Sequence, residues 1–193
     1  FVIPIALGYS PKAVQFPFAT DRIIPLPDVP IFHADHTPHR EGRAAVREVL
    51  EARVAANLFA PDQMERLIVA SGGNLRDLFS LVSNAADITL VPDRTASVIA
   101  AQAVDAAINE LRADYERRLG DSPYEDQSIT YTEKAKRLVD IYKNKLDVAI
   151  PDVVLYSLLR SRAVQEFNGE RWLGVHPLVV DVLAKQKKLK PNK

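Results

Sequence analysis

The sequence predicts a mainly α-helical protein with a minor β component, on three observations. From residue 41 onward, apolar side chains recur at three- and four-residue steps, the period of a helix with one buried face. Strand-like runs are short and confined to the start of the chain and to the flanks of Asn168-Gly169. Prolines and glycines separate these segments and rarely interrupt them.

In chain order, residues 1–7 (Phe-Val-Ile-Pro-Ile-Ala-Leu) read as a short buried strand with Pro4 as a flaw, since proline drives a strand toward an edge or bulge. Arg22-Ile23-Ile24-Pro25-Leu26 reads as a second strand, followed by an extended segment held by prolines 25, 27 and 30. Ile31 to Arg40 is a loop. A helix follows from Glu41, with Ala45, Val46, Val49, Leu50 and Val54 on one face. Pro61 opens the next, with Met64, Leu67 and Ile68 inward, ending at Gly72-Gly73. Asn74 caps a third helix, with Leu75, Leu78, Phe79 and Val82 inward. Residues 94–118 predict a long alanine-rich helix striped by Val98, Ala101, Val104, Ala107, Ile108 and Leu111. Its last turn carries Arg117 and Arg118, where the helix dipole favours cations.

Gly120-Asp121-Ser122-Pro123 marks the best boundary in the chain. Beyond it come helices near 132–146 and, opened by Pro151, near 152–160. Asn168-Gly169 between two alternating runs predicts a hairpin. His176-Pro177 opens a last helix with Leu178, Val179, Val182 and Leu183 inward, and the lysine-rich tail is expected to fray.

Composition narrows the function classes. With 25 basic and 25 acidic residues the chain is neutral, which argues against a chain-wide attraction to nucleic acid or membrane surfaces. No cysteine is present, which removes disulfides, thiol catalysis and cysteine-ligated zinc and fits a cytoplasmic location. No apolar run approaches the roughly 20 residues of a membrane helix. The chain opens on Phe1-Val2-Ile3 without an initiator Met, which is the expectation for a cut inside a larger protein.

The most informative segment is Ser71-Gly72-Gly73-Asn74-Leu75-Arg76-Asp77-Leu78. It places an arginine in the first turn of a helix, where the dipole favours anions. An anionic ligand met jointly by Arg76 and the free N–H groups gives a reason for that placement. The plainer reading is a solvated arginine paired with Asp77 or another acid.

This segment matches the Gly-x-x-Arg pattern in the helical lid of AAA+ ATPases. Asn168-Gly169-Glu170-Arg171-Trp172, followed by Val175-His176-Pro177-Leu178-Val179, looks like the wing and final helix of a winged-helix domain. The order of elements therefore resembles the C-terminal part of an AAA+ ATPase, nearest to relatives of the origin-recognition initiator ATPases. The resemblance implies the last strands of a truncated α/β nucleotide-binding core over 1–40, a helical lid over 41–120 and a winged-helix-like domain over 121–193. It implies ATP contact by Arg76, as the sensor-2 arginine, with Gly72, Gly73 and Asn74, and an arginine finger at Arg22 serving a neighbour in a homo-oligomer. ATP and Mg2+ would be held mainly by an upstream P-loop core, because this chain carries neither Walker motif. No sensor-1 residue is evident before Tyr9 or Ser10. The fragment alone is not expected to hydrolyse ATP; it would couple nucleotide binding to domain movement.

Other candidates have plainer readings. His33, Asp35, His36 and His39 offer zinc-type ligands, but one soft loop holds them and no metal is expected. For Arg22, the simpler role is a strand-edge arginine beside Asp21. DNA contact is the less favoured partner: the helix near 152–160 and the hairpin are nearly neutral, and only the helix at 132–146, with Lys134, Lys136, Arg137, Lys143 and Lys145, is basic. His176 is expected to cap or pack, Trp172 to anchor a core, and Tyr124 and Tyr131 to pack. Two other classes remain alternatives: a winged-helix DNA-binding regulator and a helical protein-interaction module.

Overall fold

The helices begin where the sequence supplies caps. In the computed structural model, which describes residues 5–8, 15, 26–121, 128–144, 152–167 and 172–190, α1 spans Ile5–Gly8, α2 Arg40–Glu51, α3 Gln63–Ala70, α4 Leu75–Leu90, α5 Ala101–Arg118, α6 Tyr131–Tyr142, α7 Val153–Arg160 and α8 Pro177–Lys185. Side-chain caps start five of them: His39 for α2, Asn74 for α4, Thr130 for α6, Asp152 for α7 and His176 for α8. Thr130 and Glu133 form a reciprocal capping box, satisfying two N–H groups that a helix start leaves open. Strands β1 (Val164–Phe167) and β2 (Trp172–Val175) form a two-stranded antiparallel sheet, with Val164 opposite Val175 and Phe167 opposite Trp172. The Asn168-Gly169 turn lies outside the described residues. Among the described residues the protein is thus mainly helical with one small sheet.

Most buried apolar side chains, from Ile31 to Leu189, make one contiguous cluster. In it, α4 packs along α5, α3 joins α2 to both, and α8 lies against α5. The hairpin sits between α6 and α7. The apolar stripe of α8 is as its spacing predicts, with Leu178, Val179, Val182 and Leu183 all buried.

Several expectations fail, each for a physical reason. Ile5–Gly8 is a helical turn rather than part of a strand; it follows Pro4, whose fixed φ suits a helix start and whose missing N–H weakens a strand. The proposed second strand is not among these failures: all of it but Leu26 lies outside the described residues, and Leu26 is exposed irregular chain. The alanine-rich helix begins at Ala101, not 94. Asp93 turns the chain by accepting from the N–H and Oγ1 of Thr95 (2.9 and 2.6 Å), and Ile99 pairs in extended form with the Leu58–Ala60 segment (2.7 and 3.0 Å). The β-branched residues Thr95, Val98 and Ile99 favour that course over a helix. Val98 is consequently exposed, as is Leu75, because α4 turns Leu78, Leu81, Val82 and Ala85 inward. The tail does not fray at once: Lys188 and Leu189 donate back to the Leu183 carbonyl, and Leu189 is buried.

The α3–α4 turn depends on its glycines. Gly72 and Gly73 have φ of 65° and 81°, a region L side chains avoid, and a Cβ on Gly73 would stand 1.8 Å from the Val29 carbonyl oxygen. Gly73→Ala should cost about 1–3 kcal/mol of unfolding free energy from the backbone conformation alone, before the clash is relieved, and lower the urea-unfolding midpoint accordingly. An unchanged midpoint would show that the turn is not held as described.

Candidate functional site

Arg76 stands on the first turn of α4, exposed, with no ion pair or hydrogen bond among the described residues. The pairing with Asp77 that the plainer reading supposes does not form. Behind Arg76, the turn uses most of its own polar groups. The Gly72 N–H donates to the Val69 carbonyl, the Gly73 N–H to Ser71 Oγ, and the Asn74 N–H to the Ser71 carbonyl. Asn74 Oδ1 caps α4 by accepting from the Asp77 N–H (3.1 Å), while its Nδ2 donates to Asp28 (2.8 Å). The N–H groups of Leu75 and Arg76 find no acceptor among the described residues. The arginine and two unsatisfied donors thus lie together at the positive end of a helix of 16 residues. Gly72 and Gly73 are buried and serve the turn rather than facing outward. Arg22 lies outside the described residues.

One residue further on, Asp77 points the other way. It is 2% exposed, and three residues converge on its carboxyl group. Tyr115 Oη of α5 donates to Oδ2 (2.6 Å), Arg162 Nη1 of the α7–β1 turn donates to Oδ1 (3.0 Å), and His176 Nε2 lies 3.6 Å from Oδ2. Burial, with the adjoining Asp77 carboxyl, pushes the Tyr115 phenol up, so it remains a donor. A buried acceptor of this kind requires its donors, because an unpaired charge in the interior costs several kcal/mol.

His176 is fully buried and tautomerically fixed. The Leu178 N–H donates to its Nδ1 (3.2 Å), so the proton sits on Nε2, which donates to the Ser71 carbonyl (3.1 Å). Its ring stacks on Tyr115 with centroids 4.2 Å apart. Burial lowers its pKa to about 4. Capping, as expected, is only part of its role: it ties the start of α8 to the α3–α4 turn. Gln165 of β1 makes a parallel link, its Nε2 donating to Asp28 (2.6 Å) and to the Gly72 carbonyl (3.1 Å). The glycine turn is therefore clamped to the hairpin and α8 from two sides.

No family model matches this sequence. No curated protein and no solved structure matches it either. The site must be read from its own chemistry.

The remaining candidates have structural roles. His39 caps α2 by accepting from the Gly42 N–H (2.9 Å), and His36 stacks on Tyr142 while its Nε2 donates to the Tyr142 carbonyl (2.8 Å). His33 is exposed, and Asp35 holds Thr37. Among the described residues no group of three or more His, Asp or Glu side chains is arranged to hold a metal ion. Half of the described basic residues of this segment are engaged: Lys134 is buried and donates to the Gly120 carbonyl (2.7 Å), and Arg137 pairs with Asp152. Lys136 and Lys143 remain exposed, while Lys145 lies outside the described residues. Trp172 is half-buried beside Phe167 rather than a core anchor. Tyr131 packs as expected, with the Lys188 ammonium 4.0 Å above its ring; Tyr124 is outside the described residues. Among the described residues no helix is long and apolar enough to cross a membrane.

Sequence reasoning singled out Arg76, which is exposed at the start of α4, and passed over the cluster around Asp77. Only one signal pointed to it: an acidic residue at the third helical position after an asparagine cap, which normally reads as a dipole partner.

The His176 imidazole makes stability depend on pH. Its folded pKa of about 4 lies below the ordinary 6.5, so the unfolded chain binds the proton first as pH falls. Stability should drop by about 3 kcal/mol between pH 6.5 and 4 from this group and change no further below. Asp28 acts in the opposite sense, since burial raises its pKa and protonation relieves a penalty on acidification. Comparing unfolding free energies of wild type and His176→Asn across that range isolates the imidazole, because Asp28 is common to both. The variant should show a shallower slope; identical slopes would refute the assignment.

Proposed function

We propose that this chain is the nucleotide-sensing lid and a winged-helix-like module of an AAA+-type P-loop ATPase, with residues 1–40 continuing from its nucleotide core. The observation that carries this reading is the opposed orientation of two adjacent residues. Arg76 projects outward beside free N–H groups at a helix start, an arrangement suited to a phosphate. Asp77 projects inward and grips the segment leading into the hairpin. A force applied to Arg76 by a γ-phosphate is thereby delivered to Arg162 and His176 through one turn of helix.

In this reading ATP and Mg2+ are bound mainly by an upstream core, where the metal neutralises charge on the phosphates. Arg76 offsets the charge that builds on the transferring phosphoryl group, and its movement sets the angle of the helical block. Gly72 and Gly73 give the turn its shape and Asn74 fixes the start of α4. Cytoplasmic location and assembly into a homo-oligomer, with Arg22 reaching a neighbour's nucleotide, belong to the same proposal. A DNA-binding role for the C-terminal unit draws less support, because Lys134 and Arg137 are already engaged within the fold.

The test uses the full-length protein with its upstream region. Arg76→Ala should lower ATP turnover by about a hundredfold, the usual effect of removing one donor to a developing anion, while leaving the unfolding midpoint unchanged. Unchanged turnover together with unchanged nucleotide affinity would contradict the proposal, as would an upstream reading frame without a Gly-x-x-x-x-Gly-Lys-Ser/Thr motif.

A further inference from the structure

Beside the clamp lies a cleft of about 250 Å3. Phe32, Tyr142, Phe167 and Trp172 line it, together with Gly72 and Asp181. The walls are held firmly. His36 and Asn144 fasten the 31–36 loop to the end of α6 through 2.8 Å bonds to the Tyr142 and Ala34 carbonyls. Phe167 and Trp172 stack with centroids 4.4 Å apart, which requires Gly174 because a Cβ there would stand 2.8 Å from the Phe167 ring. The cleft is therefore a built feature rather than a gap between loosely packed parts.

Among the described residues no lysine, arginine or glutamate lines it; its carboxylate is Asp181 of α8, 52% exposed, and its other titratable side chains are His33, His36 and Tyr142. Asp181 accepts no hydrogen bond from any described residue; its ion contact, to Arg112 Nε, is long at 3.5 Å, and that nitrogen is itself unsatisfied. Aromatic rings attract cations through the negative charge of their faces, and a neighbouring carboxylate adds to that attraction. The volume is well above the roughly 150 Å3 of an apolar cavity that admits benzene, leaving room for a ring and a charged substituent.

The geometry points to a binding site for a small planar aromatic cation, such as an aryl amidine or protonated heteroaromatic amine. The ring lies among the four aromatic side chains and the cationic group meets Asp181. This site stands independently of the nucleotide reading. A ligand there would touch Gly72, so it would also rigidify the α3–α4 turn.

The test uses benzamidine as probe and benzamide as its neutral isostere. The chain has a single tryptophan, so Trp172 gives one indole N–H signal in a nitrogen–proton correlation spectrum. Benzamidine should shift that signal saturably and bind about tenfold or more tightly than benzamide, as expected for a charge-assisted contact. Asp181→Asn should abolish the preference. Val180→Trp, which fills the cleft from α8 and adds a second indole signal to be assigned apart from that of Trp172, should abolish binding of both, leaving the Trp172 signal unshifted. Absence of a saturable shift, equal binding of the two probes, or a preference that survives Asp181→Asn would each overturn the proposal. Should Val180→Trp disturb folding, the surface variant Asp181→Asn decides the matter alone.

Discussion

The carboxyl group of Asp77 is the point on which the arrangement depends. It arrives in the interior because α4 must bury Leu78, Leu81 and Val82, and the third helical position faces the same way. Once there, it needs donors, and they come from distant parts of the chain: Tyr115 from α5 and Arg162 from the α7–β1 turn, with His176 at the start of α8 close by. An apolar core would hold the helices together but would tolerate many relative orientations. A buried acceptor satisfied by directional donors tolerates few. This cluster, together with the Gln165–Asp28–Asn74 chain, sets where the hairpin and α8 sit against the helical block.

The same constraint explains the backbone of the α3–α4 turn. The Ser71 carbonyl has to meet His176 Nε2 and the Gly72 carbonyl has to meet Gln165 Nε2, while Val29 passes close behind Gly73. Only glycine permits both the positive φ values and these approaches. The glycines expected to shape a ligand loop thus also serve an internal joint. The outward side of the turn is left to Arg76, and the neighbouring side to the aromatic cleft, so two chemically different surfaces share one rigid foundation.

Much of the fold was legible because local rules suffice for it. Caps and 3.6-residue periodicity placed α2, α3, α4, α6, α7 and α8, and the alternating runs around Asn168-Gly169 placed the hairpin. The rules failed where distant partners decide. Residues 94–100 carry a helical pattern, yet Ile99 pairs with the Leu58–Ala60 segment instead. Leu75 fits an apolar stripe by spacing, but the inward face of α4 runs through Asp77, Leu78, Leu81, Val82 and Ala85 and leaves Leu75 exposed. Of the site, Arg76 and its helix start could be read from eight consecutive residues. The role of Asp77 could not, because its partners lie 38 and 85 residues away and no local pattern links them.

A double-mutant cycle between Asp77 and Arg162 tests this account most directly. Unfolding free energies of the wild type, Asp77→Asn, Arg162→Gln and the double variant give the coupling between the two side chains. A coupling of about 1–3 kcal/mol is predicted for a hydrogen-bonded pair that shares a buried network. Additive effects, with no coupling beyond error, would show that the two units are oriented by apolar packing alone and would remove the connection from Arg76 to the hairpin.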